Sequence, residues 1–200
     1  MANFNRIAGI YDALKKIVFK DQLENAAQHF LKDISQNSSI IIIGGGSGQL
    51  LKGFDNTHKI SYVELSSKMI EKAKKVRTNA EVKFINADIL NFHSIQHYDY
   101  VITPFILDCF KENELEIIFS KIEAINHTAT VWIHTDFYPK KIWQKVLVKL
   151  MYWFFNLVTG LSTSKLPDFD TIFKKHDFIL KSKASFFHSM IESKIYQKIE

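Results

Sequence analysis

A single cysteine, Cys109, is all the thiol chemistry this chain holds. That excludes an internal disulfide and any zinc site built from several cysteines, and makes a reducing cytoplasm the expected setting. Prolines number only three, so no proline-rich linker divides the 200 residues and one domain over 1–200 is expected. Arginine is nearly missing: of 26 basic residues, only Arg6 and Arg77 are arginines. Proteins that grip nucleic acid rely on arginine for planar, bidentate contacts. Here the lysines are interleaved with acids, as in KMIEKAKK (68–75), so the net charge of +5 reads as a solvated basic surface. No nucleic-acid partner is expected. Nor is there a run of about 18 uninterrupted apolar residues to suggest a membrane span. The closest stretch, VLVKLMYWFFNLVTGL (146–161), is broken by Lys149 and Asn156. The N-terminus lacks an apolar h-region and a small-residue cleavage site, so no secretory signal is expected.

What is present is an ordinary globular composition, 46% hydrophobic and 24% charged. A chain of this length buries about 70% of the surface it exposes when unfolded. Apolar residues recur at helical spacing from about Asn3 to Ile34, with Gly9 arguing for two helices, a cap over 1–35. Then β-branched runs alternate with helical patterns: strands at Ile40–Ile43, Lys59–Leu65, Val82–Asp88, Tyr98–Phe105 and Thr128–Phe137. Helices are expected to start at Gln49, over Ser67–Val76 and over Asn113–Ile125. After a helical insertion or lid over 138–170, Phe178–His188 and Ser193–Ile199 read as a closing antiparallel hairpin. The fold class is therefore α/β: a Rossmann-like, mostly parallel, seven-stranded sheet with helices on both faces.

The stretch IIIIGGGSGQLL (40–51) runs the first strand straight into glycines. A phosphate-cradling loop would need a lysine and a hydroxyl after the last glycine, and Gln49, Leu50 and Leu51 stand there instead. A dinucleotide fold needs a third glycine where Gln49 stands, which disfavours a nicotinamide-dependent oxidoreductase. Glycine at 44, 46 and 48, with Gly45 between, leaves bare backbone for a ligand, and a helix N-terminus beyond it favours a carboxylate. Glu64 ends the second strand, where a carboxylate can accept two hydrogen bonds from a ribose diol. Asp88 ends the third, followed by Ile89, a pair suited to the edge and face of adenine. Each acid alone also suits a helix cap or a loop charge. The three features together fall at successive strand ends, where ligands of open α/β sheets bind.

The segments IIIGGGSGQLL, ISYVELSSKMIEKAKK, VKFINADILNF and YDYVITPFILDCF resemble the successive cofactor motifs of class I S-adenosylmethionine-dependent methyltransferases. The segment FNRIAGIYDALKK is similar to the opening segment of their small-molecule members. The resemblance implies S-adenosyl-L-methionine as cofactor, with Gly44, Gly46 and Gly48 along its methionine part and Glu64 on the ribose hydroxyls. It further implies Leu65 and Met69 near the adenine, Asp88 and Ile89 in contact with it, and Thr103 on the floor. Tyr11 would close over the cofactor or serve as a plain core tyrosine. One position departs: family members usually carry an acid two residues before the first glycine, and this chain has Ile42. Asp12 or Asp108 would have to substitute for it.

Methyl transfer requires alignment and, for a hydroxyl acceptor, a base. Asp108 follows strand four, and His134 and Asp136 end strand five on one face by strand alternation. These three are the candidate catalytic residues; a buried hydrogen-bonded histidine and a helix-capping aspartate are the competing readings. His93 and His97 have helical metal spacing but sit in a loop pattern with no third ligand, so no metal is expected. Cys109 reads as a small buried hydrophobe. The aromatic stretch Trp143–Leu161 reads as a helix that buries its aromatic face against the sheet or roofs the substrate pocket, and a roof of this kind implies an apolar or aromatic acceptor; a membrane-surface helix or a homodimer contact is the other reading. A cofactor-binding protein without turnover keeps the same fold, and RNA methylation lacks the arginine clustering it would need.

Overall fold

Four consecutive isoleucines are buried completely only where a strand is covered on both faces, and the computed structural model, which describes residues 18–159, 163 and 165–198, places them at the centre of the sheet. Strand β1 (Ser39–Ile43) is flanked by β2 (Lys59–Glu64) on one side and β4 (Tyr98–Pro104) on the other, both parallel to it. The outer parallel partners are β3 (Glu81–Asn86) beside β2 and β5 (Asn126–Phe137) beside β4. The last two strands, β6 (Phe178–Phe186) and β7 (Ile191–Lys198), form the expected antiparallel hairpin, with β7 inserted next to β5. The order is thus β3-β2-β1-β4-β5-β7-β6, seven strands in one sheet. Chain order reverses between β1 and β4, which opens a crevice at their carboxyl ends.

Helices cover both faces. Helix α1 (Gln22–Gln28) and α2 (Ser67–Ala73) lie on the face carrying Ile40, Ile42, Tyr62 and Ile133. Helix α3 (Glu112–Ile125) and α5 (Phe169–Lys175) cover the face carrying Ile41, Val101 and Trp132. The long α4 (Ile142–Thr159) instead packs Val148 and Tyr152 against Phe19 and Leu23, near the carboxyl end of β5 at Phe137.

Several boundaries differ from the sequence reading. The helix expected from Gln49 is a single 3₁₀ turn, Gln49–Gly53, whose last residue packs so close to Leu31 that a side chain would collide. The macrodipole expected to hold a carboxylate is therefore missing there, because one turn aligns too few peptide groups. Strand β3 stops at Asn86, leaving Asp88 in the turn beyond it. The helical pattern over Leu23–Ile34 breaks into α1 and the turn Leu31–Asp33. Helix α5 was missing from the sequence reading; its signal was Asp168, whose carboxylate accepts the Thr171 N–H at 3.2 Å as an N-cap. The expected N-terminal helix, with Tyr11 and Asp12, lies outside the described residues.

Candidate active site

The glycine turn leaves β1 with Gly44, Gly46 and Gly48 all at positive φ. Gly48, at φ 82°, approaches α2 so closely that a Cβ would sit 2.7 Å from the backbone of Ala73. Gly46, at φ 62°, has nothing within 4 Å of where a Cβ would be, so its bare backbone faces open space. That open space is a cleft lined by Gly44, Gly45, Gly46 and Ser47, by Pro104 and Phe105 at the end of β4, and by Leu23, Ala27 and Gln28 of α1. It sits at the switch point between β1 and β4. Phe105 is held at φ 53°, an uncommon conformation for a bulky residue, with its N–H donated to the Thr135 carbonyl at 2.8 Å.

Two side chains of β2 reach this turn. The Glu64 carboxylate accepts the Gly46 N–H at 3.1 Å through Oε2 and the Ser66 N–H at 2.8 Å through Oε1. Burial pushes the Glu64 carboxyl above its ordinary range, while those backbone N–H groups pull it back. Each carboxylate oxygen has a second lone pair, so these bonds leave acceptor capacity for a ribose diol. The Tyr62 hydroxyl donates to the Gly46 carbonyl at 2.9 Å, and its ring lies against Gly45. Gly46 is thus held through both its N–H and its C=O. Sequence reasoning missed Tyr62, although strand alternation puts residues 62 and 64 on one face. Ile42 is wholly buried in the apolar cluster of Ile40, Ile102 and Ile133, and the polar tether to the turn comes from β2 instead.

The remaining cofactor candidates are placed unevenly. Ser66 caps α2 by accepting the Met69 N–H at 3.2 Å; Met69 is buried and Leu65 is exposed. Asp88 accepts the Leu90 N–H at 3.0 Å, closing its own turn, and Ile89 is buried against the core under α3. Thr103 does not line the cleft. Its hydroxyl is buried on the α3 and α5 side, accepting the Trp132 indole N–H at 2.9 Å and bonded to His134 Nδ1 at 3.2 Å. Pro104 and Phe105 form that wall instead.

Asp108 sits in the 3₁₀ turn Leu107–Cys109 after β4, and Asp136 near the end of the adjacent β5. Both are buried, Asp136 completely. Burial pushes the Asp108 carboxyl up to about 6; burial and then the Asp108 charge push Asp136 well above the carboxylate range. Each carboxyl is therefore easier to protonate than a solvated one. Asp136 accepts the Phe137 N–H at 2.9 Å, and its other oxygen has no hydrogen-bond partner among the described residues. Cys109, expected as a small buried hydrophobe, is only half-buried, and its thiol donates to the Asp108 carboxylate at 3.4 Å. The Tyr152 hydroxyl of α4 donates to the Asp108 main-chain carbonyl at 3.3 Å, linking the aromatic helix to the turn that carries this carboxylate.

His134 shares the sheet face of Asp136 but is enclosed by Phe169, Phe173 and Tyr138. Burial, then the Lys194 charge, push its pKa down to about 3, so it is a neutral core imidazole without access to an acceptor. His93 to His97 form an exposed loop, and no cluster of metal-ligating side chains occurs among the described residues. No described helix is long and apolar enough to cross a membrane.

Residues 40–126 match the family model described as a methyltransferase domain. A search of curated protein sequences finds no match. Among solved structures, the chain is similar to the DhpI–SAH complex, with a TM-score of 0.74 and 12% identity over 98% of this chain and 93% of that one. It is similar to magnesium protoporphyrin IX methyltransferase of Synechocystis PCC 6803 with bound SAH (TM-score 0.66, 16% identity, 88% and 82% of the two chains). A third is the Haloferax volcanii complex of the Trm112 methyltransferase activator with a methyltransferase (TM-score 0.72, 11% identity, 100% and 99%). At such identities the likeness to these structures is one of fold.

Proposed function

We propose that this chain, which carries a class I S-adenosylmethionine-dependent methyltransferase domain, moves a methyl group to a small, apolar or aromatic acceptor. The observation that carries this reading is the pairing of Glu64 with Gly46: a strand-end carboxylate turned onto a bare glycine backbone that faces an open cleft. When bound, S-adenosylmethionine supplies an already activated methyl group. The residues of this chain bind, orient and manage a proton.

In this reading Glu64 accepts hydrogen bonds from the ribose hydroxyls while keeping the Gly46 N–H. Gly44 to Ser47 give the methionine part a close backbone approach, and Leu65, Met69, Asp88 and Ile89 border the adenine. The wall at Pro104 and Phe105 limits how far the methyl can wander, and such alignment is worth about 7–11 kcal/mol in favourable cases. The Asp108–Asp136 pair receives the proton of a hydroxyl acceptor. A carboxyl held near 6 is poised between acid and base at neutral pH, worth about 10²–10⁴-fold. Asp108 is the member that touches the acceptor and Asp136 tunes it. Tyr152 of α4, bonded to the Asp108 turn and in one apolar cluster with Phe19 and Phe137, supports an apolar or aromatic acceptor over a hydrophilic one.

The test is turnover. Purified protein with S-adenosylmethionine and a panel of hydroxylated aromatic and aliphatic acceptors should release SAH with at least one of them. Asp108→Asn should lower kcat by about 10²-fold or more while leaving SAH affinity within a few-fold. Turnover confined to nucleic acid, or an unchanged kcat in Asp108→Asn, would overturn the acceptor and base assignments respectively.

A further inference from the structure

Helix α4 buries Gln144, Val148 and Tyr152 on one side, yet its opposite side is also apolar. Ile142, Trp143, Val146, Leu150, Trp153 and Leu157 all point outward, from 44% exposed at Trp143 to 83% at Ile142. From Trp143 onward the spacing is +3, +4, +3, +4, so five of them form one continuous stripe along the helix. A helix apolar on both sides is covered on both sides. The inner side packs on Leu23 of α1 and on Phe19 just before it. The outer side needs a second cover.

The charges beside the stripe say which one. Between Phe137 and Pro167 the chain has Lys140, which is paired with Glu192 at 2.6 Å, then Lys141, Lys145, Lys149 and Lys165, and no aspartate or glutamate. Lys145 and Lys149, four residues apart, project along one flank of the stripe, both exposed. A second copy of the chain fits poorly. A two-fold axis across the stripe maps each flank onto itself, setting these lysines against their own counterparts with no acid on the helix to offset them. An anionic bilayer surface fits on every count. It takes large apolar side chains on one side, amphipathic tryptophans at headgroup level, and lysines along the rim. The same helix is too short of apolar residues to span, so it lies in the interface.

We propose that the outer stripe of α4 binds this protein peripherally to anionic membranes, with Trp143, Val146, Leu150, Trp153 and Leu157 inserted and Lys145 and Lys149 on lipid headgroups. Through Tyr152, the inner side of the same helix reaches Asp108, so the acceptor side of the domain is presented to the bilayer. The inference stands on α4 alone and does not require methyl transfer.

The experiment uses the full chain and vesicles of phosphatidylcholine, with and without phosphatidylglycerol. Tryptophan emission should shift to the blue only with the anionic vesicles, reporting Trp143 and Trp153 because the third tryptophan, Trp132, is already buried. Co-sedimentation should weaken steeply with added salt. The Lys145→Glu/Lys149→Glu double variant should lower the partition coefficient by on the order of 30-fold or more. Val146→Glu/Leu150→Glu should abolish binding, while an SAH titration shows its cofactor cleft intact. Equal binding to phosphatidylcholine alone, or none to either vesicle, overturns the proposal. So does a soluble dimer that Val146→Glu dissociates, or Trp143 and Trp153 already shielded from iodide in the free protein.

Discussion

The Tyr62 hydroxyl donates to the Gly46 carbonyl at 2.9 Å, on the same residue whose N–H is taken by Glu64 at 3.1 Å. The glycine turn is thus tethered from β2, the strand beside it, while Ile42 of its own strand contributes only packing. Tyr62→Phe keeps the ring against Gly45 and removes only the hydrogen bond. It should cost about 1 kcal/mol of stability. If the tether sets the turn for binding, SAH affinity measured by calorimetry falls several-fold as well. Stability lost with affinity unchanged would make Tyr62 a core residue and nothing more.

Gly46 and Gly48 should separate ligand approach from packing. Gly48→Ala meets the Ala73 backbone at positive φ, and should lose on the order of 2–4 kcal/mol in urea unfolding. Gly46→Ala meets no neighbour and should lose about 1–2 kcal/mol from its φ alone. Its methyl, however, stands in the open cleft. SAH binding should therefore fail in Gly46→Ala while the protein remains folded.

The Asp108–Asp136 pair gives a pH dependence with a definite sign. Both carboxyls are raised in the folded state, so the native protein holds protons that the unfolded chain releases. Stability from Asp108 is fully present below about pH 4 and is lost as pH rises through about 6. Asp108→Asn lacks the loss. Its stability relative to wild type should rise by on the order of 2–3 kcal/mol between pH 4 and pH 7. A flat difference would mean Asp108 is not desolvated.

His134 works in the opposite direction. Its folded pKa is depressed to about 3, so the unfolded chain takes up a proton that the native state refuses. Stability from His134 is present above about 6.5 and lost as pH falls toward 3. His134→Gln should be less acid-sensitive than wild type over that window, by denaturant midpoint at each pH. It should also retain turnover to within a few-fold, since the imidazole has no route to an acceptor.

The parts legible in the sequence were those written in local pattern. The isoleucines at 40–43, the glycines that follow and Glu64 at the next strand end each declare themselves within a few residues. The mostly parallel sheet followed from alternation of strand and helix patterns, and the terminal hairpin from two successive strand patterns; the strand order came only with the structure. What stayed hidden depends on which strands become neighbours. Nothing local says that Asp108 and Asp136, 28 residues apart, meet across β4 and β5, or that Thr103 turns under the sheet to Trp132 and His134. The apolar pattern of 143–161 marked a helix and left its two sides undistinguished; the packing of Val148 and Tyr152 shows which side is inner.

The most direct measurement is a titration of SAH, with NADH as comparison, into wild-type protein and Glu64→Ala, followed by thermal unfolding. Wild type saturated with SAH at 100 times its dissociation constant should gain about 2.7 kcal/mol, with no response to NADH. Glu64→Ala should remain folded and lose most of the SAH response. Wild type stabilised by NADH alone, or SAH binding unchanged in Glu64→Ala, would contradict the site described for this domain.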